Sequence, residues 1–247
     1  MKRTDLFVLV DEFGSNIDKL IEIAKINNFH RIVISANENI KISEFSINDS
    51  QEIKKKLDDA ELSTWAISSQ IGKVNFLDDF DYHINQLKNT LKVANILNTD
   101  NIIINSFFVP QYLNRDDIKN EVIDRLGKIV EICLKAGIYP LLENTAGTFA
   151  ESYEYSAILY KELPMVKGLL NFSETLLIGE DLLDTWNKTK KHIDYLNVGS
   201  ANELDVDIYS KKNNEDIKNI IKEYVSLGGR HIVVKPYDSA IISGIVI

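Results

Sequence analysis

Eight short runs of mostly apolar residues, each followed by a longer stretch with helical spacing, constrain this chain more than any other feature. The runs are Leu6–Val10, Arg31–Ser35, Ser63–Ser68, Asn101–Asn105, Tyr139–Glu143, Lys167–Asn171, Asp194–Val198 and His231–Lys235. They are rich in β-branched residues and nearly continuous rather than alternating, as strands covered on both faces must be, so they predict a parallel sheet packed by helices. Between them, apolar residues recur at steps of three and four, as in Phe80, Ile84, Leu87, Leu91 and Ala94, or Ile118, Val122, Leu126, Ile129 and Cys133. That spacing gives each helix one apolar stripe. The weakest helical pattern lies between Phe149 and Leu163, where aromatics crowd it. Gly137 and Gly228-Gly229 stand where helices hand over to strands, and Ser15, Asp49, Asp116 and Ser173 are the expected N-caps. Eight strands separated by helices predict an α/β fold, a (β/α)8 TIM barrel, with residues 1–247 as one domain. A doubly wound dinucleotide-binding sheet would need a Gly-x-Gly-x-x-Gly after the first run, where this chain has Asp11-Glu12-Phe13-Gly14.

Charge and composition narrow the partners. The 247 residues carry 28 Lys plus Arg against 37 Asp plus Glu, a formal charge of −9, which disfavours nucleic acid by repelling its phosphates. No apolar run approaches the roughly 18 residues that span a bilayer, and Leu6–Val10 is too short for a signal peptide core before Asp11 and Glu12. A lone cysteine, Cys133, falls on an apolar helical stripe and forms no internal disulfide. The expectation is a cytoplasmic protein without membrane or nucleic-acid partners.

In a TIM barrel chemistry sits at the carboxyl ends of the strands. Those ends carry Asn105, Glu143-Asn144, Asn171 with Glu174 three residues on, Asn197 with Gly199-Ser200, and Lys235. The histidines stand elsewhere: His30, His192 and His231 before or at the start of strands, and His83 on a helix, which removes Ser/His/Asp and Cys/His nucleophilic arrangements. Lys235 closes the apolar run Ile232-Val233-Val234, where an unpaired ammonium would be costly, so Glu143 across the mouth is its natural partner. Two readings of that pair stay open: a purely structural ion pair, and one that also meets a ligand. Asn105, Asn144, Asn171, Glu174, Asn197 and Ser200 are candidate substrate-binding residues, forming a hydrogen-bonding pocket for a polyol or sugar. Gly199-Ser200-Ala201 reads either as a plain turn or as a phosphate cradle.

Three stretches carry a resemblance: Ile17 to Ser35, His83 to Asn105 with its Ala94-Asn95-Ile96-Leu97, and Gly137 to Asn144 with Leu-Leu-Glu-Asn. Together they resemble the xylose-isomerase-like TIM-barrel family of sugar isomerases and epimerases, over nearly the whole chain. The resemblance implies a divalent metal held by a Glu on the fifth strand, an Asp on the sixth, a His on the seventh and a Glu on the eighth. Glu143 matches the first. The other three positions carry Asn171, Asn197 and Lys235, and Glu174 stands where the family places a substrate-contacting His. Neutral Asn is a poor transition-metal ligand, and an ammonium about 4 Å from a metal repels it by about 4 kcal/mol per unit charge at an effective dielectric constant of about 20. No cofactor and no metal is therefore expected.

Two functions follow. One is a sugar or sugar-phosphate isomerase or epimerase in which Glu143 is the base for proton transfer α to a carbonyl and Lys235 the electrostatic stabiliser. The other is a catalytically inactive sugar-binding or regulatory protein on the same barrel. A homo-oligomer is compatible with the apolar tail Ile241 to Ile247, which can pack across the barrel or into a neighbouring subunit.

Overall fold

The computed structural model describes residues 7–10, 16–37, 40–198 and 210–234. In chain order its strands are β1 (Phe7–Val10), β2 (Arg31–Ile34), β3 (Ala36–Asn37), β4 (Ile40–Lys41), β5 (Ser63–Ser68), β6 (Asn101–Ile104), β7 (Tyr139–Glu143), β8 (Lys167–Asn171), β9 (Ile193–Asn197) and β10 (Ile232–Val234). Eight of them close a barrel in the order β1-β10-β9-β8-β7-β6-β5-β2, and every neighbouring pair is parallel. The eight predicted runs are these eight strands, with ends shifted by a residue or so. The antiparallel ribbon β3–β4 was not foreseen, since two residues per strand leave no readable period.

The helices are α1 (Ile17–Ile26), α2 (Ile47–Asp59), α3 (Phe80–Ile96), α4 (Arg115–Lys135), α5 (Tyr153–Glu162), α6 (Phe172–Leu177), α7 (Leu182–Thr189) and α8 (Lys211–Ser226). Their apolar stripes pack on the outside of the barrel, as with Ile118, Val122, Leu126, Ile129 and Cys133 of α4, all buried. Gly137 and Gly228 end α4 and α8 at φ +75 and +98, a region that glycine enters without strain. Among the described residues no helix is long and apolar enough to cross a membrane.

Three expected N-caps sit inside the first turn instead. The caps are Ser46, which forms a capping box with Asp49, Asn114, whose side chain accepts from Asp116 N, and Asn171, whose side chain accepts from Ser173 N. In each case an oxygen two or three residues earlier, on extended backbone, reaches the free amides of the first turn; Asp49, Asp116 and Ser173 are already helical and cannot cap. Helix α1 is capped by Asn16, and Ser15 lies outside the described residues.

A second cluster fills the barrel: Val33, Trp65, Ala66, Ile103, Leu141, Leu169 and Val233, with Tyr195 against them. At its amino-terminal end three rings meet. Trp65 stacks on His231 with centroids 5.1 Å apart and meets Tyr195 edge-on at 5.0 Å. Burial, helped by Arg31 and Arg230, pushes the His231 imidazole down to about 4, so it stays a neutral ring in this floor.

Candidate functional site

Residues two apart on a strand share a face, and the step from the apolar layer to the mouth is one such pair on four consecutive strands. Ile103 is followed by Asn105, Leu141 by Glu143, Leu169 by Asn171 and Tyr195 by Asn197. Closing the barrel therefore gathers a carboxylate and three amides at one end.

Glu143 is the centre of the group. It is only 5% exposed, and its Oε1 accepts from Asn171 Nδ2 at 3.0 Å and from Asn197 Nδ2 at 2.8 Å. The Asn171 amide cannot turn round without loss: its Oδ1 already accepts from the Ser173 and Glu174 amides at 3.1 and 3.4 Å, capping α6. The hydrogen-bond network thus fixes which end of Asn171 faces the carboxylate.

Asn105 is fully buried. Its Nδ2 donates to the Glu143 carbonyl at 3.2 Å and to Thr145 Oγ1 at 2.7 Å, while its Oδ1 has no hydrogen-bond partner among the described residues. Asn144 points both ends of its amide into the protein: Oδ1 accepts from Asn171 N at 2.6 Å, and Nδ2 donates to Asn171 O and Thr175 Oγ1. It continues the β7–β8 pairing past the end of the ladder. Glu174 Oε2 accepts from Ala146 N at 2.8 Å and so ties down the loop after β7. Ser200 and Lys235 lie outside the described residues, so the Glu143–Lys235 pair does too.

The described cation facing Glu143 is one that sequence reasoning missed. Lys73, in the loop after β5, places Nζ 3.8 Å from Glu143 Oε2. Nothing in the stretch from Ser68 to Leu77 marks it, because a lysine in a loop reads as solvated. Its meeting with a residue seventy positions later exists only in the closed barrel. The histidines lie where the sequence put them. His30 and His192 are exposed, His231 is in the floor, and His83 is buried on α3.

Among the described residues the donor set does not fit the family's divalent metal. A ligand must offer a lone pair, yet the amides of Asn171 and Asn197 turn their hydrogens toward Glu143. Among the described residues no group of three or more His, Cys, Asp and Glu could hold a metal ion.

Comparison with known proteins places the architecture. Nothing among curated proteins matches the chain. Solved structures that superpose on it include a probable 3-DHS dehydratase, AsbF, from Bacillus anthracis, with 17% identity, TM-score 0.68 and 97% of each chain covered. D-psicose 3-epimerase from Clostridium cellulolyticum H10 superposes with 12% identity and TM-score 0.71, over 94% of this chain and 85% of that one. The IolI protein, crystallised with a zinc atom, does so with 13% identity and TM-score 0.72, over 96% and 94%. At these identities the likeness is one of fold. The model of the xylose isomerase-like TIM barrel family matches residues 21–215, well over half of the sequence, and the chain belongs to that family.

Proposed function

We propose that the barrel mouth binds a small sugar or sugar phosphate and that Glu143 moves a proton at the carbon next to the sugar's carbonyl, as in an isomerase or epimerase. The observation that carries this reading is the asymmetric setting of the Glu143 carboxylate. Oε1 is anchored by two amide donors, and Oε2 is left beside an ammonium, that of Lys73. A base held by one oxygen keeps the other aimed, which is what positioned proton transfer requires. As the proton leaves, negative charge grows on the carbonyl oxygen, and a nearby ammonium stabilises the enediolate. Lys73 has that role here. Lys235, two residues beyond Val233 of the interior cluster, is the second candidate. The polar amides around the mouth suit hydroxyl-rich ligands, and the sugar epimerases among the structural neighbours support the same class.

One observation favours a second reading, binding without turnover: two donors already occupy Oε1, so half of the carboxylate is closed to a substrate proton. A single experiment separates the readings. Ketoses, aldoses and their phosphates are incubated with the protein in deuterium oxide, and loss of the α-proton signal is followed by NMR. Turnover predicts exchange that falls by about 10²–10⁴-fold in Glu143→Gln. Binding alone predicts ligand-dependent thermal stabilisation without exchange. Neither exchange nor stabilisation across the panel contradicts both.

A further inference from the structure

The loop that carries Lys73 is laced onto the end of β6. Ile71 O accepts from Asn105 N at 2.8 Å, Gly72 O from Phe107 N at 2.9 Å, and Val74 O from Phe108 N at 2.9 Å. Ser69 Oγ donates to Ile103 O at 2.7 Å and accepts from Ile71 N. At Gly72 the approach is closest. Its φ is +78, and a Cβ there would stand 1.9 Å from the Asn105 carbonyl oxygen, so only glycine fits.

The Gly72 N–H has no backbone acceptor among these bonds. It donates instead to Nε2 of His83 at 2.9 Å. His83 is 2% exposed on the inner side of α3, its ring against Phe107 at 6.0 Å. Because Nε2 accepts, the ring proton is on Nδ1 and points to Gln86 Oε1 at 3.3 Å, an assignment that follows from the network. Burial lowers the His83 pKa, against the opposing pull of Gln86 and Asp78, and so keeps Nε2 free to accept. A histidine kept only for packing has no need of that acceptor.

We infer that His83 is a positioning residue for the mouth: by accepting the Gly72 N–H it fixes the loop that sets the Lys73 ammonium against Glu143. The inference rests on the proposed role of Glu143 and Lys73 only for its meaning in catalysis, since the coupling itself can be read without substrate. A neutral imidazole on a helix outside the barrel thereby governs a cation in the site, acting through one backbone amide. It touches no reacting atom.

The test uses the whole chain with lysine side chains labelled for NMR. The Lys73 side-chain signal is followed with and without Glu143→Gln, in wild type, His83→Phe and His83→Gln. Phe keeps a ring and loses the acceptor; Gln keeps an acceptor at the reach of Nε2. In wild type, Glu143→Gln is expected to shift the Lys73 side-chain signal, because Nζ lies 3.8 Å from the carboxylate. In His83→Phe that response disappears, and amide exchange at Gly72 accelerates on the order of 10–100-fold for the lost bond. In His83→Gln both return toward wild type. His83→Met replaces His83→Phe if the latter does not fold. A Lys73 response that survives in His83→Phe or His83→Met overturns the inference, as does its absence from wild type or from a folded His83→Gln. Failure of the proposed function would appear elsewhere, as wild-type protein that exchanges no sugar proton, and would leave these readouts unchanged.

Discussion

The two ends of the barrel are built from the same strands and do opposite things. Strand β9 gives Tyr195 to the floor and Asn197 to the mouth, two residues apart on one face. At the floor the rings of Trp65, Tyr195 and His231 pack on one another, and burial holds the His231 imidazole neutral. At the mouth the side chains are polar, and Glu143 lies among amide donors and an ammonium. The floor is stabilised by area and shape, so it should tolerate loss of charge and not loss of volume. The mouth is organised by hydrogen bonds with assigned donors and acceptors, so it should behave in the reverse way.

Substitutions at each end can break that contrast. The largest effect is expected at the floor: Trp65→Ala removes the ring that packs on both Tyr195 and His231 and should cost about 3–5 kcal/mol in chemical denaturation. Sugar binding, measured below the unfolding transition, should survive. At the mouth, Asn171→Ala removes the α6 cap and one donor to Glu143 together, for about 2–3 kcal/mol. There the loss of sugar binding should exceed what the stability change explains; equal binding in both variants would erase the distinction between the ends.

The third effect is smaller and depends on pH. His231 titrates near 4 when folded and near 6.5 when unfolded, so the unfolded chain binds its proton first as pH falls. Its contribution to stability is therefore complete above about pH 6.5 and is lost progressively between about pH 6.5 and 4. Partial exposure of the ring reduces the effect to about 1–2 kcal/mol. His83, lowered in the same direction, adds to the wild-type slope, so the measure is the difference between wild type and His231→Phe. That difference should shrink at pH 4.5 relative to pH 7, because phenylalanine has nothing to titrate. An unchanged difference would mean that the packed rings do not hold the His231 imidazole below its ordinary range.

Much of this was legible in the sequence because it depends on local pattern. Strands such as Tyr139–Glu143 end where an apolar run meets a polar residue, and that same step marks Asn105, Glu143, Asn171 and Asn197 as mouth residues. The N-caps were misplaced by two or three residues because Asp49, Asp116 and Ser173 are good capping types lying close to better-placed Ser46, Asn114 and Asn171. Only backbone conformation separates them. Lys73 and His83 were out of reach for another reason. Their roles come from contacts across the closed barrel, Lys73 with Glu143 and Gly72 with Asn105, and no periodicity records such pairs. Asn144 stood out as a ligand-facing residue because it follows Glu143, whereas one step along a strand end turns it to the neighbouring strand, where Asn171 N and Thr175 take up its amide.

The central claim is that Glu143 works among amide donors and an ammonium in a mouth whose described residues do not suit a divalent metal. Calorimetric titration of the purified protein with zinc, manganese and cobalt, beside the same titrations of Glu143→Gln, tests it directly. The account predicts superimposable curves for the two proteins, with no binding that depends on the carboxylate. Uptake of about one equivalent of metal by the wild type, abolished in Glu143→Gln, would contradict it.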